Sequence, residues 1–135
     1  MLECLILGDS IAVGVTKYRP ECVAYAKGGW NSWQYRRDFG AKAADKPAET
    51  IIISLGSNDH PGVKTFDELY KMREKLQGKR VYWVLPNPVV YPKQSEEVKL
   101  IAIAFGDNVI QTKRYQTDKI HPSWAGYKEL AEQAK

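Results

Sequence analysis

Short runs of strand-forming residues, each followed by a helix-forming stretch, constrain this chain more than any other feature. "LECLIL" (Leu2–Leu7), "TIIISL" (Thr50–Leu55) and "RVYWVL" (Arg80–Leu85) are the clearest of these runs. "TIIISL" is β-branched and carries too little polarity for a face in water, as expected of a strand covered on both sides. A helical stretch runs from about Ser10 to Lys17. Glu21–Ala26 reads as a second strand, closed by a turn at Lys27-Gly28-Gly29. Asn31 is placed to cap a helix running through Trp33 to about Ala44. Thr65 is placed to cap "FDELYKMREKLQ", where Leu69, Met72 and Leu76 recur at helical spacing and Gly78 supplies the stop. Pro86 and Pro88 cut the fourth strand. Ser95 opens an apolar helix to about Phe105, ended by Gly106, and Asp107–Thr112 is a weaker fifth strand. From Pro122 a last helix puts Trp124, Tyr127, Leu130 and Ala134 on one face.

Five strands, each followed by a helix, predict an α/β fold: a three-layer α/β/α sandwich around a five-stranded parallel sheet. The expected strand order is 2-1-3-4-5, as in flavodoxin-like sheets. The 135 residues fit one domain, residues 1–135, with no repeats or low-complexity linkers. The net charge is +4, yet basic residues never exceed two in a row and acids are interleaved among them. That pattern predicts a solvated mixed surface and no nucleic-acid partner. No apolar run is long enough to span a bilayer. Met1 is followed at once by Leu2, Glu3 and Cys4, with no signal-peptide pattern, so the expected location is cytoplasmic or virion-associated. The two cysteines and two histidines show no zinc-ligand spacing; buried free thiols are the favoured reading of Cys4 and Cys22, with a bridge left open should their strands be neighbours.

In parallel sheets ligands bind beyond the carboxyl ends of the strands, where strand order reverses. Here that point lies between the first and third strands. Gly8-Asp9-Ser10 follows the first, Gly29 the second, and Gly56-Ser57-Asn58-Asp59 the third, so three polar or glycine-bearing turns converge on one rim. A hydrolytic serine needs a base to take its proton and an acid to orient that base. His121 lies three residues after Asp118 in "TDKIHP", a separation that lets carboxylate and imidazole face each other on one turn. His60 competes for the role, but its neighbour Asp59 is adjacent in sequence, and adjacent side chains in an extended turn diverge. His121 is the favoured base. In the expected order the fifth strand lies roughly 14 Å from the first, and the segment from Lys113 to His121 reaches up to about 26 Å. An acyl-transfer oxyanion could take donors from the backbone N–H of Ser10, that of Gly29 and the side-chain amide of Asn58. Singly, each glycine or asparagine reads equally as a turn residue.

Taken together, "GDS" after the first strand, a glycine after the second, "GSND" after the third and "DKIHP" before the last helix resemble the SGNH hydrolases, also called GDSL-type esterases and lipases. The resemblance runs from Gly8 to about Gly126. It implies a serine-ester hydrolase with Ser10 as nucleophile, His121 as base, Asp118 as its acid, and Ser10, Gly29 and Asn58 around the oxyanion. It implies no metal and no organic cofactor, and a small-molecule or carbohydrate-linked ester as substrate, with short acyl groups such as acetyl expected. Asp9 and Asp59 then brace loops. The chain has no length to spare for a lid, so an open, shallow site is expected. Trp30, Trp33 and Tyr91 stand near the rim, although the favoured reading of Trp33 and of Trp124 is a core-facing helix residue. Two alternatives stay open: a thioesterase or lysophospholipase using the same residues, and a receiver-like phosphoacceptor domain built on Asp9, Asp59 and Lys113. Nucleotide binding has no support, because neither GxGxxG nor a lysine-bearing P-loop occurs.

Overall fold

The β-branched runs become parallel strands with apolar residues on both faces. The computed structural model describes residues 1–135. Its elements are β1 (Leu2–Gly8), α1 (Ser10–Thr16), β2 (Val23–Ala26), α2 (Ser32–Ala44), β3 (Ala48–Ser54), α3 (Thr65–Arg73), β4 (Gly78–Val84), α4 (Pro92–Phe105), β5 (Asn108–Ile110) and α5 (Trp124–Gln133). The sheet order is β2-β1-β3-β4-β5, all parallel, as the alternation predicts. Because strand side chains alternate, successive residues feed two cores. Leu5, Leu7, Ile51, Ile53, Val81 and Trp83 pack under α2, α3 and α4. Ile6, Ile52, Val84 and Ile110 face the other way, against α1 and α5. The result is the three-layer α/β/α sandwich.

Register decides where the loops emerge. Gly8 pairs with Ala26 on one side and Ser54 on the other, Ser54 pairs with Val84, and Val84 with Ile110. The carboxyl ends of all five strands therefore form one row, and every strand-to-helix loop opens on the same rim. On the α3 side, Asp107, whose side chain is nearly enclosed, accepts from both Arg73 Nε and Nη2, at 2.7 and 2.8 Å, and from Trp83 Nε1 at 2.9 Å. This charge-assisted fork ties α3, β4 and the end of α4 together.

Several sequence expectations are corrected. A disulfide joins Cys4 of β1 to Cys22, just before β2, with the Cα atoms 4.7 Å apart. The expected order already makes the two strands neighbours; the register, which sequence does not show, sets Leu5 opposite Val23 and so brings the two cysteines side by side. Cys4, Cys22 and Glu21 lie close enough to resemble a metal cluster, but the bridge removes both thiolates as ligands. Thr65 opens α3 without capping it, because its hydroxyl donates to Asp59 at 2.7 Å. Gly78 does not stop that helix, which ends at Arg73. It lies inside β4, where a Cβ would stand 2.7 Å from Ile51 Cδ1. α4 starts at Pro92, three residues before Ser95, with proline in the first turn where its missing N–H costs nothing.

Trp33 and Trp124 are not core residues; they are 43% and 84% exposed. In α2 the inward stripe is Ser32, Tyr35, Phe39 and Ala43, and Trp33 sits one helical step off it. In α5 the stripe Tyr127, Leu130, Ala131 and Ala134 is buried. Trp124 continues that stripe by one turn, but it stands at the rim, where the sheet has ended and there is nothing to pack against.

Candidate active site

The first loop is shaped by Gly8. Its φ of +137° is backbone that residues with a side chain rarely adopt, and a Cβ would stand 1.9 Å from the carbonyl oxygen of Ser54. With only hydrogen there, β1 turns tightly and the Asp9 N–H donates to Ser54 O at 3.0 Å. Asp9 then caps α1, its Oδ1 accepting from the Ile11 N–H at 3.0 Å and from the Ser54 hydroxyl at 3.1 Å. Its Oδ2 is buried without a partner. Burial pushes the carboxyl up to about 6, against the lowering effect of those hydrogen bonds. Ser10 follows as the first residue of α1 and is half-buried, and an N–H at that position has no intrahelical partner.

The far side of the rim comes from the loop after β5. Ser10 Oγ lies 2.8 Å from His121 Nε2, a contact between residues 111 apart in sequence. His121 Nδ1 lies 2.7 Å from Asp118 Oδ2. The other carboxylate oxygen of Asp118 accepts from the backbone N–H groups of Ile120 at 2.9 Å and His121 at 3.0 Å. Asp118 is exposed, and hydrogen bonding to His121, then to those two amides, holds its carboxyl down to about 2. The tautomer that satisfies both contacts has Nδ1–H donating to Asp118 and Nε2 accepting from the Ser10 hydroxyl. Such a chain can move a proton from Oγ to Nε2 and keep the resulting imidazolium paired.

A residue the sequence reading passed over sets this loop. Asn87, between Pro86 and Pro88 after β4, is buried and donates through Nδ2 to the carbonyl of Lys119 at 2.8 Å. Lys119 has φ +62°, left-handed backbone that lets Asp118 and His121 face each other across a tight turn. The Gln116 N–H to His121 carbonyl bond, 2.8 Å, closes the turn from the other side. The only sequence signal was an asparagine isolated between prolines, a pattern equally suited to an ordinary turn.

The remaining rim residues divide into two groups. Gly29 is exposed with φ +82° and open space where a Cβ would be. Asn58 is exposed, and its Nδ2 donates to Trp30 O at 3.1 Å, which ties the third loop to the second. Gly29, Asn58 and Ser10 thus stand on three adjacent loops of one rim. His60 and Asp59 turn away. His60 Nδ1 accepts from the Gly62 N–H at 3.1 Å, and neither nitrogen contacts Ser10. Asp59 is buried; its oxygens accept from the Ser32 N–H at 2.8 Å and from the hydroxyls of Ser32 and Thr65 at 2.7 Å each. A buried carboxylate held by three donors is poorly placed to accept a phosphoryl group, which counts against the receiver-like alternative. Trp30 packs on Phe39, ring centroids 5.1 Å apart, with the Lys27 ammonium 4.7 Å above it. Tyr91 stands at the start of α4, half-buried. None of the cavities in the molecule is lined by Ser10 or His121, so the pair lies open on the rim.

No protein-family model matches the chain, and no curated protein sequence matches it. Solved structures do match in fold. A GDSL-like lipase from Bacteroides thetaiotaomicron superposes with a TM-score of 0.74 at 17% identity, over 98% of this chain and 86% of that one. A lipase/acylhydrolase from Enterococcus faecalis gives 0.69 at 14% identity, over 98% and 92%. An acetylxylan esterase from Geobacillus stearothermophilus gives 0.65 at 17% identity, over 97% and 91%. At these identities the likeness is one of fold along nearly the whole chain. No helix is long and apolar enough to cross a membrane.

Proposed function

We propose that this chain is a serine esterase of the SGNH, or GDSL, type that cleaves carboxylic esters of short acyl groups, with acetyl esters on carbohydrate as the favoured class. The observation that carries the reading is the unbroken line Ser10 Oγ–His121 Nε2–Nδ1–Asp118, at 2.8 and 2.7 Å. Ser10 Oγ attacks the ester carbonyl carbon while His121 Nε2 takes its proton. The tetrahedral oxyanion meets the Ser10 N–H, the Gly29 N–H and the second amide hydrogen of Asn58, the first being held by Trp30. The intermediate collapses as His121 returns the proton to the leaving alcohol. Water, activated by the same imidazole, then releases the acid from Ser10. Asp118 stays ionised throughout, because its carboxyl is held at about 2.

The fold neighbours support this class, since those described above are named as lipases, an acylhydrolase and an acetylxylan esterase. The open surface around Ser10 and His121 supports short acyl groups, because neither residue lines a cavity that could enclose a long chain. The Cys4–Cys22 disulfide is a bond of oxidising compartments and weighs against the cytoplasm.

The test is hydrolysis of an activated acetate ester, with an acyl-length series alongside. Wild-type protein turns over acetate fastest, and Ser10→Ala abolishes nearly all activity. Asn58→Ala lowers kcat by roughly 10²–10³. Full activity in Ser10→Ala refutes the nucleophile, and a preference for long acyl chains refutes the substrate class.

A further inference from the structure

A second feature of the rim lies beyond the loops that carry Gly29 and Asn58. A cleft of about 470 Å³ opens between the start of α2 and the loop leading to α3, lined by Asn31, Trp33, Gln34, His60, Lys64 and Glu68 among others. Asn31 follows Gly29 by two residues and His60 follows Asn58 by two. Two residues of extended chain span at most about 7 Å, so the cleft begins beside the proposed oxyanion site.

Its chemistry is one-sided, and the cause is local. Asn31 and Gln34 form a reciprocal capping box: Asn31 Oδ1 accepts from the Gln34 N–H at 2.9 Å, and Gln34 Oε1 accepts from the Asn31 N–H at 3.1 Å. Both side-chain oxygens are consumed, and both NH₂ groups are left as donors. His60 is similar. Its Nδ1 accepts from the Gly62 N–H, so the neutral ring carries its hydrogen on Nε2, which has no partner in the chain. Lys64 adds an ammonium without an ion pair. The only carboxylate among these residues, Glu68, is already paired with Arg36 at 2.5 Å. Four donor-bearing residues, one of them cationic, thus line a cleft whose one carboxylate is offset by Arg36. The Trp33 ring adds an apolar plate, one face of which carries the Arg37 guanidinium 4.4 Å from its centroid.

We infer that this cleft is a subsite for a carboxylate-bearing sugar, so that the substrate is an O-acylated acidic saccharide. The carboxylate and ring hydroxyl oxygens take hydrogen bonds from Lys64, His60, Asn31 and Gln34, while the sugar's C–H face lies on Trp33. The inference rests on the esterase reading for its link to Ser10, but the cleft is testable without turnover.

The experiment is calorimetric titration of full-length Ser10→Ala protein with trigalacturonic acid and, separately, with xylotriose. Trigalacturonic acid binds at least about tenfold tighter, the scale of one charge-assisted hydrogen bond. Lys64→Glu removes that preference, whereas Lys128→Glu, on α5, preserves it. Equal affinity for the two trisaccharides overturns the inference, as does a preference insensitive to Lys64→Glu. Binding of inorganic phosphate as tight as that of trigalacturonic acid overturns the saccharide part, because the cleft would then read charge alone. The two readings fail separately. A protein that binds the acidic trisaccharide but cleaves no ester contradicts the esterase, and one that cleaves esters without binding it contradicts the cleft.

Discussion

Replacing Asp9 by asparagine is the sharpest probe of how this site is held. The carboxyl is 1% exposed and one oxygen has no partner, so the ionised form is penalised in the folded protein. Its value moves from 3.8 to about 6. Between those values the folded chain keeps a proton that the unfolded chain has released. Stability from this group is therefore greatest below about pH 4, declines as pH rises, and its loss is complete above about pH 6. A shift of this size, evaluated between pH 4 and pH 7, corresponds to about 2–3 kcal/mol. Asp9→Asn cannot titrate, yet its side-chain oxygen can still accept from the Ile11 N–H and the Ser54 hydroxyl. Relative to wild type, the variant should gain about 2–3 kcal/mol between pH 4 and pH 7. Urea unfolding followed by tryptophan fluorescence at four pH values measures that difference directly. Because other groups titrate in both proteins, the difference isolates Asp9. A difference that stays flat within about 0.5 kcal/mol would refute the claim that Asp9 is a buried, destabilised carboxylate.

Gly8→Ala should cost on the order of 3 kcal/mol or more, since it combines a disallowed φ with a Cβ driven into Ser54 O; a melting temperature within two degrees or so of wild type contradicts this. Cys22→Ser opens an 18-residue loop that contains Ser10, and the chain-entropy estimate is about 3 kcal/mol. Its thermal midpoint should match that of reduced wild type, and a clear mismatch would mean the bridge acts otherwise. Asn87→Ala frees the Lys119 carbonyl, so ester turnover should fall by about tenfold while KM moves little, the loss of one buried hydrogen bond being about 1–2 kcal/mol. An effect on unfolding alone would leave Asn87 without a part in positioning His121.

Local sequence determined the layers and their order. β-branched runs such as "TIIISL" cannot sit with one face in water, and a helix after every strand leaves a parallel sheet as the way to bury them. The "GDS", "GSND" and "DKIHP" turns were legible because each needs a glycine, a cap or a short acid-to-histidine spacing that nearby residues supply. What tertiary structure decided is whatever depends on two distant segments meeting. The 2.8 Å contact from Ser10 to His121 exists because register aligns Gly8, Ser54, Val84 and Ile110 in one row. Cys4 meets Cys22 because the β1–β2 register sets them side by side, and Asn87 holds Lys119 because the β4 and β5 loops share a rim. Trp124 shows the same limit from the other side. Helical periodicity places it on the buried stripe, but periodicity carries no information about where the sheet beneath that stripe ends.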